Sequence, residues 1–346
     1  MTLSEKGRVY QVDSVLVIHQ GALGDFILAL PVLSALRRAF PDARTVMMGY
    51  PRILQLAKDR FYADEIFSID QKGMATFFIR QGTLDENLSR FFSTFDLVVV
   101  FGKDGEGAFI NNLKRVCKAR IIHINTMPSQ YEAIHLSEHL LRQLSRSGIH
   151  HSDGTPRLFL RESDREWGER FWLERGISPE ERTKVIILHP GSGSRKKIWP
   201  LNLFLDLFRH LQNHSNRIFL IVLGPAEGPE IQQAFEVLDF PHLTLAKDLS
   251  LVELASVMEG CQLFIGNDSG ISHLAAALGL PTLAIFGPTD YRVWSPRGVK
   301  VEVIRREIPC SPCDGERLSL CKEMDCLNRI EVEDVLSGLK RMGTEF

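Results

Sequence analysis

The run SVLVIHQGALGDFILALP, residues 14–31, decides the fold. Ser14 to His19 is a short, nearly continuous apolar run, as a strand covered on both faces requires. Gly21 to Asp25 is a glycine-bearing loop, and Phe26, Ile27, Leu30, Leu33 and Leu36 then recur at helical spacing. The stretch is a β-loop-α unit. Phe40-Pro41-Asp42 ends the helix, and further strands are expected at Arg44 to Met48, Asp64 to Ile69, Leu97 to Phe101 and Arg120 to Ile124. Strands alternating with helices imply a parallel sheet flanked by helices.

Beyond residue 150 the text changes character. Turn residues in SGIHHSDGTP give way to a charged helix with aromatic positions, RESDREWGERFWLERG, so residues 151–184 read as an interdomain crossing. The βα pattern then restarts with strand Val185 to Leu188, helix Leu201 to Gln212, strand Arg217 to Leu223 and the turn GPAEGPE. Ser250 and Glu253 predict a capping box at the start of LVELASVMEG. Strand Leu263 to Ile265, a helix closed by Gly279, and strand Thr282 to Phe286 follow. The halves 1–150 and 185–330 are each doubly wound, without an evident sequence repeat.

Composition bounds the function. A chain of 346 residues with 44% hydrophobic content exceeds the roughly 250–300 residues at which single cores stop growing, which favours two domains. With 41 basic and 43 acidic residues, no global field points to nucleic acid, and any anion recognition must be local. No leader pattern opens the chain and no apolar run approaches the roughly 18 residues that span a bilayer, so a cytoplasmic chain is expected. Phe77, Phe78 and Arg80 read as core rather than as surface contacts.

Three loops join a strand end to a helix start, where parallel α/β sheets bind ligands and unpaired amides favour anions: HQGALGD, HPGSGSRKK and GNDSGISH. In the second, Gly191 and Gly193 admit close backbone approach, Ser192 and Ser194 are donors, and Arg195, Lys196 and Lys197 add charge. It suits phosphate but lacks the GK[ST] ending of a P-loop. In the third, Asp268 or Asn267 can cap a helix whose first amides, at Ser269 and Gly270, face outward, while His273 lies one turn in. The first loop instead carries a carboxylate. Asp25 reads either as a first-turn dipole partner or as a general base.

GALGDFILALP, HPGSGSRKKIWP and NDSGISHLAAALGLPTLAIFGPTD, followed by a cysteine-rich tail, together resemble the glycosyltransferase family 9 proteins, the ADP-heptose:lipopolysaccharide heptosyltransferases. The likeness runs from about Val15 to about Leu339. It implies a GT-B fold: two Rossmann-like doubly wound domains facing across a cleft, acceptor bound mainly by the first, nucleotide-sugar by the second, and a C-terminal helix, within 331–346, crossing back. It implies Asp25 as catalytic base and Lys197 as donor-phosphate contact, a role the adjacent Lys196 could equally take. Ser192, Ser269, Gly270 and His273 would complete the diphosphate site, Asp268 would lie near the donor sugar, and Glu227 and Leu249 near the nucleoside. The implied partners are ADP-heptose and a lipid-linked oligosaccharide acceptor at the inner face of the inner membrane, with transient membrane contact, no nucleic acid and no required cofactor.

Cys310-x2-Cys313-x7-Cys321-x4-Cys326 has a spacing compatible with tetrahedral zinc, weighed against free or packed thiols, which the reading prefers. Cys117 and Cys261 read as small core residues. Two other functions share these loops: another GT-B nucleotide-sugar enzyme, such as an epimerase, and a non-catalytic nucleotide-sugar-binding protein.

Overall fold

Ser14–His19 is the central strand of a five-stranded parallel sheet, in keeping with its apolar run. The structure is a computed structural model that describes residues 2–5, 8–128, 133–151, 153–213, 217–224, 227–238, 240 and 242–344. A short antiparallel hairpin of β1 (Thr2–Glu5) and β2 (Arg8–Gln11) precedes β3 (Ser14–His19). With β4 (Arg44–Gly49), β5 (Glu65–Ser68), β6 (Leu97–Phe101) and β7 (Arg120–Ile124), the sheet order is β5-β4-β3-β6-β7. This sheet belongs to a first unit, Met1–Thr155.

The second unit, Pro156–Phe346, carries β8 (Val185–His189), β9 (Ile218–Leu223), β10 (Leu243–Lys247), β11 (Leu263–Asn267), β12 (Thr282–Ile285) and β13 (Val301–Ile304) in the order β10-β9-β8-β11-β12-β13. Every pairing in both sheets is parallel. β6, β8, β9 and β11 are buried along their whole length, which is why their sequences show apolar runs without alternation.

The strand orders fix where ligands can bind. In the first sheet the chain runs outward from β3 to β5, then returns to the other side of β3 with β6; in the second it runs from β8 to β10 and returns beside β8 with β11. Such reversals leave a crevice beyond the carboxyl ends of the two central strands. The Gly21–Asp25 loop leaves β3 at one reversal. The loops after β8 and β11 flank the other.

The second unit also includes residues 156–184 of the segment read as an interdomain crossing, 151–184, and the helix within 331–346. Helix Glu162–Leu173 lies on helix Leu251–Met258: Trp172 Nε1 donates to the Val257 carbonyl at 3.0 Å, and Arg165 pairs with Glu259 at 2.8 Å. Contact is so close that a Cβ on Gly168 would sit 2.5 Å from the Ser256 carbonyl oxygen. Helix Val332–Arg341 buries Val335 and Leu339 in the second core, and a Cβ on Gly338 would meet Ile304 Cδ1 at 2.5 Å.

Among the described residues, no helix is long and apolar enough to cross a membrane. Phe77 is core, as expected, but Phe78 and Arg80 are not: Phe78 is half exposed, stacked on Phe109, and Arg80 is exposed beside the exposed Ile79. The short helix ends at Phe78, so successive side chains there diverge, one inward and the next to solvent.

Candidate functional site

In the second unit the loops after β8 and β11 are fastened to each other by one buried side chain. Asn267 Nδ2 donates to the carbonyls of Pro190 (2.8 Å) and Gly191 (3.2 Å), and its Oδ1 accepts the Trp199 amide at 3.0 Å. Trp199 is fully buried and its indole N–H reaches the Ile330 carbonyl at 2.9 Å. The HPGSGSRKK loop is therefore a clamped structure rather than a loose turn. Sequence reading missed Asn267 as the fastener, offering it only as a helix cap; its position at the end of a buried strand was the available signal.

The expected phosphate-loop residues converge, with altered duties. Ser192 is buried and its hydroxyl proton is committed to the Asp268 carbonyl at 2.8 Å, so in this state it ties one loop to the other. The helix Gly270–Ala277 is capped by Ser269, whose Oγ accepts the Ser272 amide at 3.4 Å. The cap expected of Asp268 or Asn267 thus falls to the next residue. That frees the Asp268 carboxylate to pair with Lys197: Nζ lies 2.9 Å from Oδ2, an electrostatic contact rather than an aligned hydrogen bond. Buried His273 faces the same pair. Burial holds its pKa at about 4 despite the nearby Asp268, and Lys197 lowers it further, so the ring is neutral at neutral pH. Its Nδ1 has no hydrogen-bond partner among the described residues.

The two adjacent lysines separate. Arg195–Lys197 is a single 3₁₀ turn, in which consecutive side chains point about 120° apart. Lys197 points to Asp268. Lys196 donates to the carbonyls of Leu318 and Ser319 (2.7 Å to the latter), at the carboxyl end of helix Gly315–Leu320.

Glu227 is buried rather than offered to solvent. Its Oε2 accepts the Gly224 amide, and Oε1 lies 3.9 Å from His189 Nε2. Burial lowers the His189 pKa, with Glu227 acting against it, while Nδ1–H donates to the Val222 carbonyl at 3.1 Å. Pro225 and Ala226 of the expected turn lie outside the described residues. Leu249, half-buried, follows β10 directly after Asp248, which adopts a positive φ of 55°.

In the first unit, Asp25 occupies the first turn of helix Leu23–Ala39 and its Oδ2 accepts the Ala22 amide at 3.1 Å. The dipole-partner geometry is present. Beneath the loop, buried His19 accepts the Gly21 amide through Nδ1 at 3.3 Å, and burial, partly offset by a hydrogen bond with the Asp25 backbone, lowers its pKa to about 4. Gly21 has no room for a side chain: a Cβ there would lie 2.7 Å from both Asp25 Cβ and His19 Cε1.

All six cysteines are free thiols, and Cys117 and Cys261 are core residues, the latter pushed up to about 12 by burial. Cys326 is also packed in the second core, and burial raises it to about 11. Cys310 is exposed and Cys313 and Cys321 are partly so. Among the described residues, no three His, Cys, Asp or Glu side chains gather as a metal ion requires. The segment docks on the loop after β12: Ser311 Oγ donates to the Gly287 carbonyl at 2.7 Å, and the Cys313 amide to the Pro288 carbonyl at 2.8 Å.

Comparison with known proteins agrees with this fold. Lipopolysaccharide heptosyltransferase 3 of Escherichia coli K12 is 23% identical over 296 residues, covering 79% of this chain and 82% of that protein. Lipooligosaccharide heptosyltransferase 2 of Campylobacter jejuni is 27% identical over 167 residues, 46% of this chain, so the chain spans about half (52%) of that relative. The solved structure of the Escherichia coli ADP-heptose lipopolysaccharide heptosyltransferase II superposes with a TM-score of 0.71 at 16% identity, over 95% of this chain and 98% of that one. The architecture is accordingly GT-B, two doubly wound α/β units. The family model described as glycosyltransferase family 9 (heptosyltransferase) matches residues 128–322, more than half of the sequence and the whole of the clamped double loop, and the chain belongs to that family.

Proposed function

We propose that the protein is an inverting glycosyltransferase that moves a heptose from ADP-heptose to a lipid A-linked core oligosaccharide. The observation that carries this reading is the Lys197–Asp268 pair, held by the Asn267 clamp at the switch point of the second sheet, directly before a helix N-terminus. A donor diphosphate would draw Lys197 away from Asp268 and take the amides of Ser269 and Gly270. The Asp268 carboxylate, released from its cation, would then accept hydrogen bonds from sugar hydroxyls. Neutral His273 could donate or accept without adding charge. Glu227 and Leu249 are assigned to the nucleoside end, Glu227 after turning out from beneath its loop.

In the reaction, Asp25 accepts the proton of an acceptor hydroxyl. The hydroxyl oxygen bonds to the anomeric carbon as the bond from that carbon to the diphosphate oxygen breaks, and the electron pair leaves with ADP. Attack from the opposite face inverts the centre. Lys197 and the helix amides meet the charge that grows on the leaving diphosphate, which is stabilisation aimed at the transition state. The reading places the chain at the inner face of the inner membrane, where exposed Phe78, Ile79 and Arg80 offer apolar and cationic contacts.

The test is calorimetric titration with ADP and ADP-heptose, followed by transfer to a heptose-deficient lipopolysaccharide core. Asp25→Asn is expected to bind ADP as the wild type does and to lose transfer by roughly 10²–10⁴-fold. Transfer within a few fold of wild type would remove Asp25 as base, and absence of ADP binding by the wild type would remove the whole reading.

A further inference from the structure

Next to the clamped double loop, the second unit contains a cavity that no step above uses. It measures about 450 Å³, within the roughly 300–1,000 Å³ of small-molecule sites. Its walls come from the loop after β12 and the segment after β13, with Ser311 and Pro312 of the cysteine-rich tail along one side. Its place in the sheet is specific. The Asp268 amide donates to the Ile285 carbonyl at 2.9 Å, and the Phe286 amide to the Ile304 carbonyl at 2.8 Å. The cavity therefore opens one strand spacing, about 4.8 Å, beyond the Asp268 loop, at the same carboxyl ends of the strands.

Its chemistry is charge-balanced and planar. Asp290 grips Arg292 as a fork, Oδ1 to Nε at 2.9 Å and Oδ2 to Nη2 at 2.7 Å. Arg305 pairs with Glu307 at 2.5 Å, and its guanidinium lies 4.5 Å from the centre of the Tyr291 ring. Arg292, and after it Arg305, hold the Asp290 carboxyl below its usual range against the opposing effect of burial, and the wall sets two acidic side chains against two basic ones. Such a wall repels neither sign and attracts neither. The Asp290–Arg292 fork, whose Oδ1 also accepts the Arg292 amide at 3.0 Å, and the single Arg305–Glu307 contact each leave carboxylate lone pairs beside guanidinium N–H groups. A vicinal diol, which donates with one hydroxyl and accepts with the next, matches that pairing of acceptor with donor. A phosphate does not, because it would meet two carboxylates and two guanidiniums already partnered.

We propose that this cavity is a subsite for a neutral, hydroxyl-rich sugar ring, held by the Asp290–Arg292 fork and the Arg305–Glu307 pair beside Tyr291. Resting on the transferase reading above, it serves the saccharide acceptor next to the sugar being transferred, so that the second unit grips part of the acceptor as well as the donor.

Saturation-transfer NMR on the full-length protein with ADP present, using methyl mannoside as the neutral probe and inorganic phosphate as competitor, tests this. The expected result is saturation of the mannoside ring protons, unaffected by phosphate. It is lost in Arg305→Met and weakened roughly tenfold in Arg305→Lys, which keeps the charge but not the planar guanidinium with its further N–H donors. Both variants should keep the wild-type ADP affinity and melting temperature. Should Arg305→Met prove unstable, Glu307→Gln, an exposed position, reports instead and is expected to weaken the mannoside signal. No saturation in ADP-bound wild type, saturation persisting in the folded variants, or displacement by phosphate would each overturn the subsite while leaving the transferase reading intact. Failure of the wild type to bind ADP would instead strike that reading.

Discussion

Glu227 occupies the space that a side chain at Gly191 would need: a Cβ built on Gly191 would lie 1.5 Å from Glu227 Oε1. The glycine therefore makes room for a neighbouring acid. The carboxylate lies against Gly191 of the HPGSGSRKK loop while its Oε2 accepts the Gly224 amide of its own turn, with neutral His189 beside it.

Gly191→Ala should expel Glu227 from beneath the loop. The expected outcome is a fall in ADP affinity of tenfold or more, on the order of 1.4 kcal/mol, with a lowered melting temperature. Gly193→Ala, where no atom lies within 4 Å of the added carbon, should change neither. Calorimetry on the two variants distinguishes the positions.

The lysines should divide by function. Lys197→Met is expected to raise the ADP dissociation constant by roughly 10–100-fold, since a charge-assisted contact is lost. Lys196→Met should leave that constant within a few fold but loosen residues 310–321, read as faster amide exchange there. Equal effects of the two substitutions on ADP would contradict the separation.

Asn267→Ala leaves the Trp199 amide and the Pro190 and Gly191 carbonyls without their partner. Unsatisfied buried groups cost about 1–3 kcal/mol each, so denaturant melts should show a loss of at least about 2 kcal/mol. Ala substitution at Asn111, an exposed helix position, is the control and should lie within about 0.5 kcal/mol of wild type.

Acid should destabilise the fold through His19 and His273. Both are held near pKa 4 by burial, below the ordinary 6.5. Between pH 6.5 and 4 the unfolded chain binds protons that the folded imidazoles refuse, so stability is intact above 6.5 and falls as the pH drops through that window. The size is on the order of 3 kcal/mol for each ring. Urea melts at pH 7 and pH 5 should show the loss, and His19→Gln should reduce it; a flat profile would mean that the rings find a charged partner.

The strands that carry the site were legible because they are buried on both faces: LVVVF, VIILH and SVLVIH can hardly be anything else. β10 and β13 were not. Each forms one edge of the second sheet and is only partly buried, and the charges of Lys247 and Glu302 blur the apolar signal. The residues that gather at the two loops of the second unit were legible as a set, since three loops with glycine, hydroxyl or charged residues each follow a strand and precede a helix. Their individual duties were not. Which of two neighbouring lysines turns inward depends on the phase of one 3₁₀ turn, and whether Ser192 serves a ligand or a carbonyl depends on a loop 76 positions away.

That one turn has an inheritance of its own. Because opposite allegiances sit on consecutive residues, deleting or inserting a single amino acid between Ser194 and Trp199 would rotate the ammonium groups and hand each the other's task, with composition almost unchanged. In this loop, spacing is a stricter requirement than chemistry, and a tolerant swap of arginine for lysine would do less harm than a silent-looking change of length.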